Sequence, residues 1–69
     1  MKSDKHPTRK RILDAAEELF AQRGFAGVSV RQIMNQADAD VSLAYYHFKS
    51  KQDLFDQVML RRVEFINEI

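Results

Sequence analysis

The chain has 69 residues, no cysteine and a net charge of +1, which allows one small domain and excludes disulfides and cysteine-based metal sites. Its 45% apolar and 30% charged residues, with two glycines and one proline, are typical of a folded, helix-rich protein. It has no apolar run long enough to span a bilayer and no signal-peptide pattern at its amino terminus, so we expect a soluble, cytoplasmic protein without a membrane partner.

Positive charge is concentrated at the amino terminus. The first eleven residues contain five basic side chains and one acidic side chain, which gives them a net charge of +4. The basic residues are Lys2, Lys5, Arg9, Lys10 and Arg11, and the acid is Asp4. This segment is either a solvated tail or an arm that contacts nucleic acid.

The first predicted helix follows at once. Its apolar residues recur at spacings of three and four, which places them on one helix face. They are Ile12, Ala15, Ala16, Leu19 and Phe20. Pro7 and Thr8 suit the beginning of this helix, and Gly24 suits its end because glycine readily adopts the left-handed conformation. Phe25 can then fold back onto the helix.

A second, short helix is predicted for residues 30–36. Ser29 and Gln32 have the spacing of a capping box, in which each side chain satisfies the backbone amide of the other residue. The inner side would consist of Val30, Ile33 and Ala37, and the outer side of Arg31, Gln32 and Asn35. The helix is therefore amphipathic.

Residues 37–40 interrupt the apolar pattern and predict a tight turn. Asp38 is of a type that tolerates a positive φ, and Asp40 is a suitable N-cap for the next helix. We predict a third helix from Val41 to Phe48, with Ala44 and Phe48 facing inward because they are four residues apart.

The last predicted helix covers residues 51–69 and is opened by Ser50 and Asp53 in a second cap-and-return pattern. One apolar stripe comprises Phe55, Met59, Val63 and Ile66. Further apolar residues on this helix are Leu54, Val58, Leu60, Phe65 and Ile69. One small core cannot cover all of them, so we expect a neighbour, either a further domain or another subunit.

Two short helices joined by a four-residue turn match the helix-turn-helix, whose second helix is the recognition helix. Tyr45 and Tyr46 lie about 100° apart around the helix axis, so both cannot face inward. The outward face would carry Val41, Ser42, Tyr45, Tyr46 and His47. Such groups can donate to phosphates or contact base edges. The alternative is that the tyrosines belong to the core and His47 is an ordinary surface histidine.

Two other classes of function explain less of the sequence. An enzyme would have to work with His6 and His47, and the sequence has no metal-ligand spacing, nucleophile motif or phosphate-binding loop. We therefore expect no catalytic site, metal or cofactor. A helical protein-interaction module would explain the apolar last helix, but a DNA-binding domain with a neighbour would present the same surface.

Several segments resemble the TetR family of bacterial transcriptional regulators. They are residues 8–16 (TRKRILDAA), 19–25 (LFAQRGF), 29–33 (SVRQI) and 45–51 (YYHFKSK). The resemblance implies an all-α fold: a three-helix bundle with a helix-turn-helix, followed by the start of a fourth helix that leads to an absent ligand-binding and dimerisation domain. It implies a flexible basic arm at residues 1–8, a DNA-binding domain at 9–50 and a connecting helix at 51–69.

The same resemblance implies a ligand-responsive repressor that binds double-stranded DNA at a palindromic operator as a homodimer, with a small-molecule effector held by the absent domain. It places Ser29 and Arg31 near the DNA backbone, Val41, Ser42, Leu43 and Tyr45 toward base edges, and Tyr46, His47 and Lys51 on phosphates. Arg9 and Lys49 complete the set of predicted DNA-contacting residues.

Four positions depart from the family pattern. Asp38 stands where most members have glycine, and Asp40 stands where many have serine or asparagine. Two carboxylates beside a polyanion should weaken electrostatic attraction. Leu43 replaces a frequent small hydroxyl residue and Ala44 a frequent large apolar one, so Leu43 could pack inward or present its methyl groups to DNA.

Overall fold

The computed structural model describes residues 7–67 and the side chains of residues 7–63. All regular structure in this range is helical, which confirms the all-α prediction. The elements are α1 (Thr8–Arg23), α2 (Val30–Gln36), one 3₁₀ turn (Val41–Leu43), α3 (Ala44–His47) and α4 (Lys51–Asn67). The predictions for Lys2, Asp4, Lys5, His6, Phe65, Ile66 and Ile69 lie outside the described side chains.

A single apolar core lies between α1 and its two neighbours, α2 and α4. The five apolar residues predicted on α1 are all buried, and Leu13 joins them. On α2 the buried residues are Ile33 and Met34, whereas Val30 is partly buried at the edge of the core. Each fully buried aliphatic side chain stabilises the fold by roughly 1.5–3 kcal/mol, so this core holds the small domain together.

Glycines shape the connection between α1 and α2. Gly24 ends α1 with a φ of 77°, and its amide donates to the carbonyl of Phe20 at 2.8 Å. The ring of Phe25 then stacks on that of Phe20 with 5.8 Å between centroids, which confirms the predicted fold-back. A Cβ at Gly27 would lie 2.5 Å from the carbonyl oxygen of Arg23, so the loop passes too close to α1 for any side chain there.

Hydrogen bonds fix both ends of α2. The capping box is present: Ser29 Oγ accepts from the amide of Gln32 at 3.1 Å, and the amide of Ser29 donates to Gln32 Oε1 at 2.8 Å. At the other end, the Arg11 guanidinium donates to the carbonyls of Ala37 and Asp38 at 3.1 and 3.2 Å. Asp38 has a φ of 56°, which confirms the predicted left-handed residue.

The third helix is shorter and less regular than the predicted span of Val41 to Phe48. It begins with the 3₁₀ turn, continues as α3 and ends at His47. Phe48 has an extended backbone, with φ −137° and ψ 143°, and a buried ring. The helix ends one residue earlier than predicted because the extended backbone of Phe48 directs its ring into the core. The chain then continues to Ser50, which caps α4.

Of the described residues in the predicted apolar stripe on α4, Phe55 packs against the core, and Met59 and Val63 are exposed. Leu54 and Val58 are buried, and Phe55 lies at the edge of the core against the rings of Phe20 and Phe25. Among the described side chains of α4, the exposed apolar residues are Met59, Leu60 and Val63. The buried face of α4 is therefore the one that carries Leu54 and Val58, and the Phe55 ring packs at the edge of this face.

Ion pairs join the later turns of α4 to α1. Arg61 contacts Asp14 at 2.9 Å and Glu17 at 2.5 Å, and Arg62 contacts Glu17 at 3.0 Å. The start of α4 is capped locally, since Ser50 Oγ accepts from the amide of Asp53 at 3.0 Å. The carboxylate of Asp53 returns to the amide of Lys49 at 2.9 Å, one residue earlier than the predicted partner.

Candidate nucleic-acid interface

The third helix presents a polar and aromatic face to solvent. Ser42 is exposed on the 3₁₀ turn, and Tyr45 and Tyr46 follow on α3 with 64% and 80% of their surface exposed. Both tyrosines therefore face solvent, where the sequence required only one to do so. Their hydroxyl groups can donate to phosphate oxygens, which lie on the surface of a DNA duplex.

The opposite side of the same helix packs on the core. Ala44 and Phe48 are buried, as predicted. Val41 and Leu43 are both partly buried and pack against the core cluster. Leu43 thus takes the inward position that the sequence left open, and Val41 is less outward than predicted. This packing leaves Ser42 as the exposed side chain of the 3₁₀ turn.

Asp40 organises the beginning of this helix. Its Oδ1 accepts from both the backbone amide of Ser42, at 2.9 Å, and the Ser42 hydroxyl, at 3.0 Å. The hydrogen bond from the Ser42 amide, helped by the one from its hydroxyl, holds the pKa of the exposed Asp40 carboxyl below its ordinary value. Asp40 is therefore ionised at neutral pH, and the predicted N-cap is confirmed.

Two further predicted contacts lie at the beginning of α2. Ser29 and Arg31 are exposed, and α2 packs against the 3₁₀ turn. The Ser29 oxygen already accepts a hydrogen bond within the capping box, but a hydroxyl keeps its own hydrogen for a second partner. Ser29 can therefore cap α2 and donate to a phosphate at the same time.

Two cationic side chains rest on aromatic rings. The Arg9 guanidinium carbon lies 5.3 Å from the centroid of the Phe48 ring, and the same side chain donates to Gln57 Oε1 at 3.3 Å. Lys51 Nζ lies 4.2 Å from the centroid of the Phe25 ring. Both distances are in the range of cation–π attraction, so the Arg9 charge is held at Phe48, directly after α3, and the Lys51 charge at Phe25.

The remaining predicted residues have different surroundings. His47 is half-buried, with its ring edge-on to Tyr46 at 4.9 Å between centroids. Lys49 is exposed directly after α3. In the basic segment, Lys10 pairs with Asp14 at 2.9 Å and Arg11 caps the turn after α2, so these two charges serve the fold.

Phe25 is a member of the site that the sequence did not suggest. It was predicted to pack on α1, which it does, but its ring also contacts the Lys51 ammonium. No local pattern joins the two residues, because they lie on different elements. The role of Arg11 was missed for the same reason, since its hydrogen-bond partners are 26 and 27 positions away.

Two other features are absent from the described part of the chain. Residues 7–67 contain no group of three histidine, aspartate or glutamate side chains that could hold a metal ion. In the same range, none of the helices is both long and apolar enough to cross a membrane.

Comparison with known proteins places this geometry in a family. The family model described as bacterial regulatory proteins, tetR family, matches residues 12–58. The regulator UidR of Escherichia coli K12 is 36% identical over 64 residues, which cover 93% of this chain and 33% of UidR. The repressor NicS of Pseudomonas putida is 40% identical over 52 residues, or 75% of this chain and 24% of NicS.

The similarity extends to solved structures. The hemolysin II transcriptional regulator HlyIIR superposes with a TM-score of 0.71 at 37% identity, covering 74% of this chain and 28% of HlyIIR. A linker-substituted mutant of HlyIIR gives a TM-score of 0.75 at 35% identity over 78% of this chain and 30% of the mutant. The chain spans about a third or less of the length of these relatives.

Proposed function

This chain belongs to the tetR family of bacterial regulatory proteins, and we propose that it reads the operator of a ligand-responsive transcriptional repressor that acts as a dimer. The family assignment makes the chain the DNA-binding domain of a transcriptional regulator. It also confirms the expectation that the chain is not an enzyme, because the relatives it matches are transcriptional regulators.

The observation that carries this proposal is the exposed face of the third helix. The exposed side chains are those of Ser42, Tyr45 and Tyr46, and they form one surface of hydroxyl and aromatic groups. A helix fits the major groove of B-DNA, where base edges present donors, acceptors and thymine methyl groups. A face of this composition on a helix-turn-helix is suited to enter that groove.

The proposed contacts divide into two groups. Ser42 and Tyr45 approach base edges together with the exposed part of Val41, whereas Leu43 supports them from the core side. Phosphates are bound by the remaining residues, which are Arg9, Ser29, Arg31, Tyr46, His47, Lys49 and Lys51. Phosphate contacts fix the position of the protein on DNA, and base contacts determine which sequence it prefers.

Repression, dimerisation and ligand control complete the proposal. Two copies would place their third helices in successive major grooves about 34–36 Å apart on a near-palindromic operator. Binding of a small molecule elsewhere in the regulator would change that separation. The relative NicS is named as a repressor, and the exposed apolar residues Met59, Leu60 and Val63 on α4 offer a surface for a neighbouring domain or subunit. Such a regulator works in the cytoplasm, where its DNA is.

Fluorescence anisotropy with two duplexes tests the proposal. One duplex carries an operator selected from random sequences by the protein, and the other has the same length and a scrambled sequence. We expect tighter binding to the selected operator by about a thousandfold, the lower end of what specific binding adds over non-specific binding. Equal affinities for the two duplexes would exclude sequence-specific recognition.

The salt dependence of binding tests the phosphate contacts. Lys51→Gln should reduce the slope of log K against log salt by about one, because one fewer phosphate is neutralised. Arg62→Gln is the matched control, since Arg62 lies on the same helix and already pairs with Glu17. A slope that changes equally in both variants would contradict the assignment of Lys51 to a phosphate.

A further inference from the structure

We propose that Asp40 makes the Ser42 hydroxyl a hydrogen-bond acceptor toward DNA, so that the third helix selects an amino base, adenine or cytosine, on the strand that Ser42 contacts. This inference rests on the proposed function, because it requires that the third helix lies in the major groove. It predicts which base is preferred at one base pair in each half-site. The preference is attributed to Asp40, which does not itself touch DNA.

The first step of the argument is the direction of one hydrogen bond. Asp40 Oδ1 and Ser42 Oγ are 3.0 Å apart, and an ionised carboxylate has no hydrogen to donate. The hydrogen between these two oxygens therefore belongs to Ser42. The backbone amide of Ser42 donates to the same Oδ1 at 2.9 Å, so the carboxylate oxygen is fixed in position by two donors from one residue.

The second step is the choice that remains to the hydroxyl. A free serine hydroxyl rotates and can donate or accept, so it would fit any base. A hydrogen bond to a charged acceptor is stronger than one to a neutral acceptor, and base edges are neutral. Ser42 would lose the stronger bond if it turned its hydrogen toward DNA. Its oxygen lone pairs are therefore what it offers to the major groove.

The third step matches these lone pairs to DNA. In the major groove, adenine N6 and cytosine N4 carry the amino donors, whereas guanine O6, guanine N7 and thymine O4 are acceptors. An acceptor at Ser42 Oγ binds adenine or cytosine and meets unfavourable lone pairs at guanine or thymine. The neighbouring Val41 and Leu43 are partly buried and apolar, so neither can supply a hydrogen bond that would offset this preference.

The experiment selects operators from random duplexes with the wild-type protein and three variants. Ser42→Ala identifies the base pair in question, because its preference should disappear. Asp40→Gly keeps a residue accepted at N-caps but frees the Ser42 hydroxyl, so the selected base should broaden to all four. Asp40→Asn removes the charge yet keeps a carbonyl Oδ1 that can accept from Ser42, so the amino preference should weaken without broadening as far as in Asp40→Gly.

Competition between duplexes that differ only at this base pair measures the strength of the preference. We expect the wild type to prefer the amino base by about fivefold, as one net hydrogen bond allows, and Asp40→Gly to reduce this ratio to about one. The ratio compares two ligands of the same folded protein, so a loss of stability in a variant does not alter it. Circular dichroism at the assay temperature verifies that each variant is folded.

Three results would overturn the inference: selection of guanine or thymine at the Ser42-dependent position, an unchanged preference in Asp40→Gly, or no position that responds to Ser42→Ala. In each of these cases the wild type still selects an operator, so the proposed function stands. If the wild type enriches no sequence at all, the proposed function fails as well, and the two failures are thus distinguished.

Discussion

Asp38 has a backbone conformation that favours glycine. Its φ of 56° places the Cβ of an L-residue close to the backbone, a cost that aspartate tolerates better than most residues. Asp38→Gly should stabilise the fold by about 0.5 kcal/mol, the balance between relieved strain and the greater freedom of glycine in the unfolded chain. It should also tighten DNA binding, because it removes a negative charge that repels a polyanion.

Thermal unfolding of the variants measures this effect. Asp38→Ala is the control, because it removes the same charge and keeps a Cβ without a side chain that tolerates this conformation. We expect Asp38→Ala to lower the midpoint of unfolding and Asp38→Gly to raise it. A lower midpoint for Asp38→Gly would show that the left-handed conformation is not a source of strain at this turn.

Phe25 should act on DNA affinity through Lys51. The ring holds the ammonium group 4.2 Å from its centroid, which limits the motion of the flexible side chain that we propose to bind a phosphate. Phe25→Leu should weaken DNA binding by about threefold, in keeping with the strength of an exposed cation–π pair. Phe25→Tyr, which retains a ring face, should bind like the wild type.

A double-mutant cycle separates this role from packing, because Phe25 also contacts Phe20 and Phe55. In a Lys51→Gln background, the change Phe25→Leu should leave the remaining affinity unchanged. If the leucine variant loses the same affinity in both backgrounds, Phe25 supports the interface only through the core.

Among the features of the helices, those that depend only on residues nearby in the sequence were predicted best. The caps at Ser29 and Asp40 and the end of α1 at Gly24 involve groups within a few residues, so their patterns can be read directly. The inward face of α4 could not be predicted, because Leu54 and Phe55 are both apolar and the choice between them depends on where α1 and Phe25 lie. The inward position of Leu43 was open for the same reason.

The contact between α1 and α4 should make stability depend on acid pH. Partial desolvation raises the pKa of Asp14, but hydrogen bonds and charge attraction from Lys10 and Arg61 outweigh it, and the net effect lowers this pKa. A carboxyl whose pKa is lower in the folded state contributes stability above its unfolded pKa, near 4, and this contribution is lost as the pH falls through the folded value.

Urea unfolding at pH 7, 4 and 3 tests this dependence. Between pH 7 and 3 the wild type should lose more stability than Asp14→Asn, whose side chain does not titrate. Asp56→Asn is the control, since Asp56 lies on α4 and accepts a hydrogen bond from the uncharged Gln52. Identical pH profiles for the wild type and Asp14→Asn would mean that the ion pairs of Asp14 with Lys10 and Arg61 add nothing in solution.

The dimensions of this domain are compatible with two copies on one DNA duplex. The Cα atoms extend over 33 × 31 × 21 Å, and successive major grooves on one side of a duplex are about 34–36 Å apart. Two of these domains can therefore lie side by side along the same face of the duplex. Each domain folds around its own core and does not need the other for this. The connection between the two copies therefore determines which separations of the half-sites they can span.

Changing the distance between half-sites tests this geometry. Inserting about five base pairs turns one half-site to the opposite face of the duplex, and about ten base pairs return it to the same face. The affinity of the dimeric regulator should fall about a hundredfold with the shorter insertion. The second domain can then no longer bind its half-site on the same duplex, so the gain from two linked binding events is lost. A monomeric preparation of the domain should bind all spacings equally, because each half-site is then occupied independently. Equal binding of all spacings by the dimer would mean that its two domains do not engage the operator together.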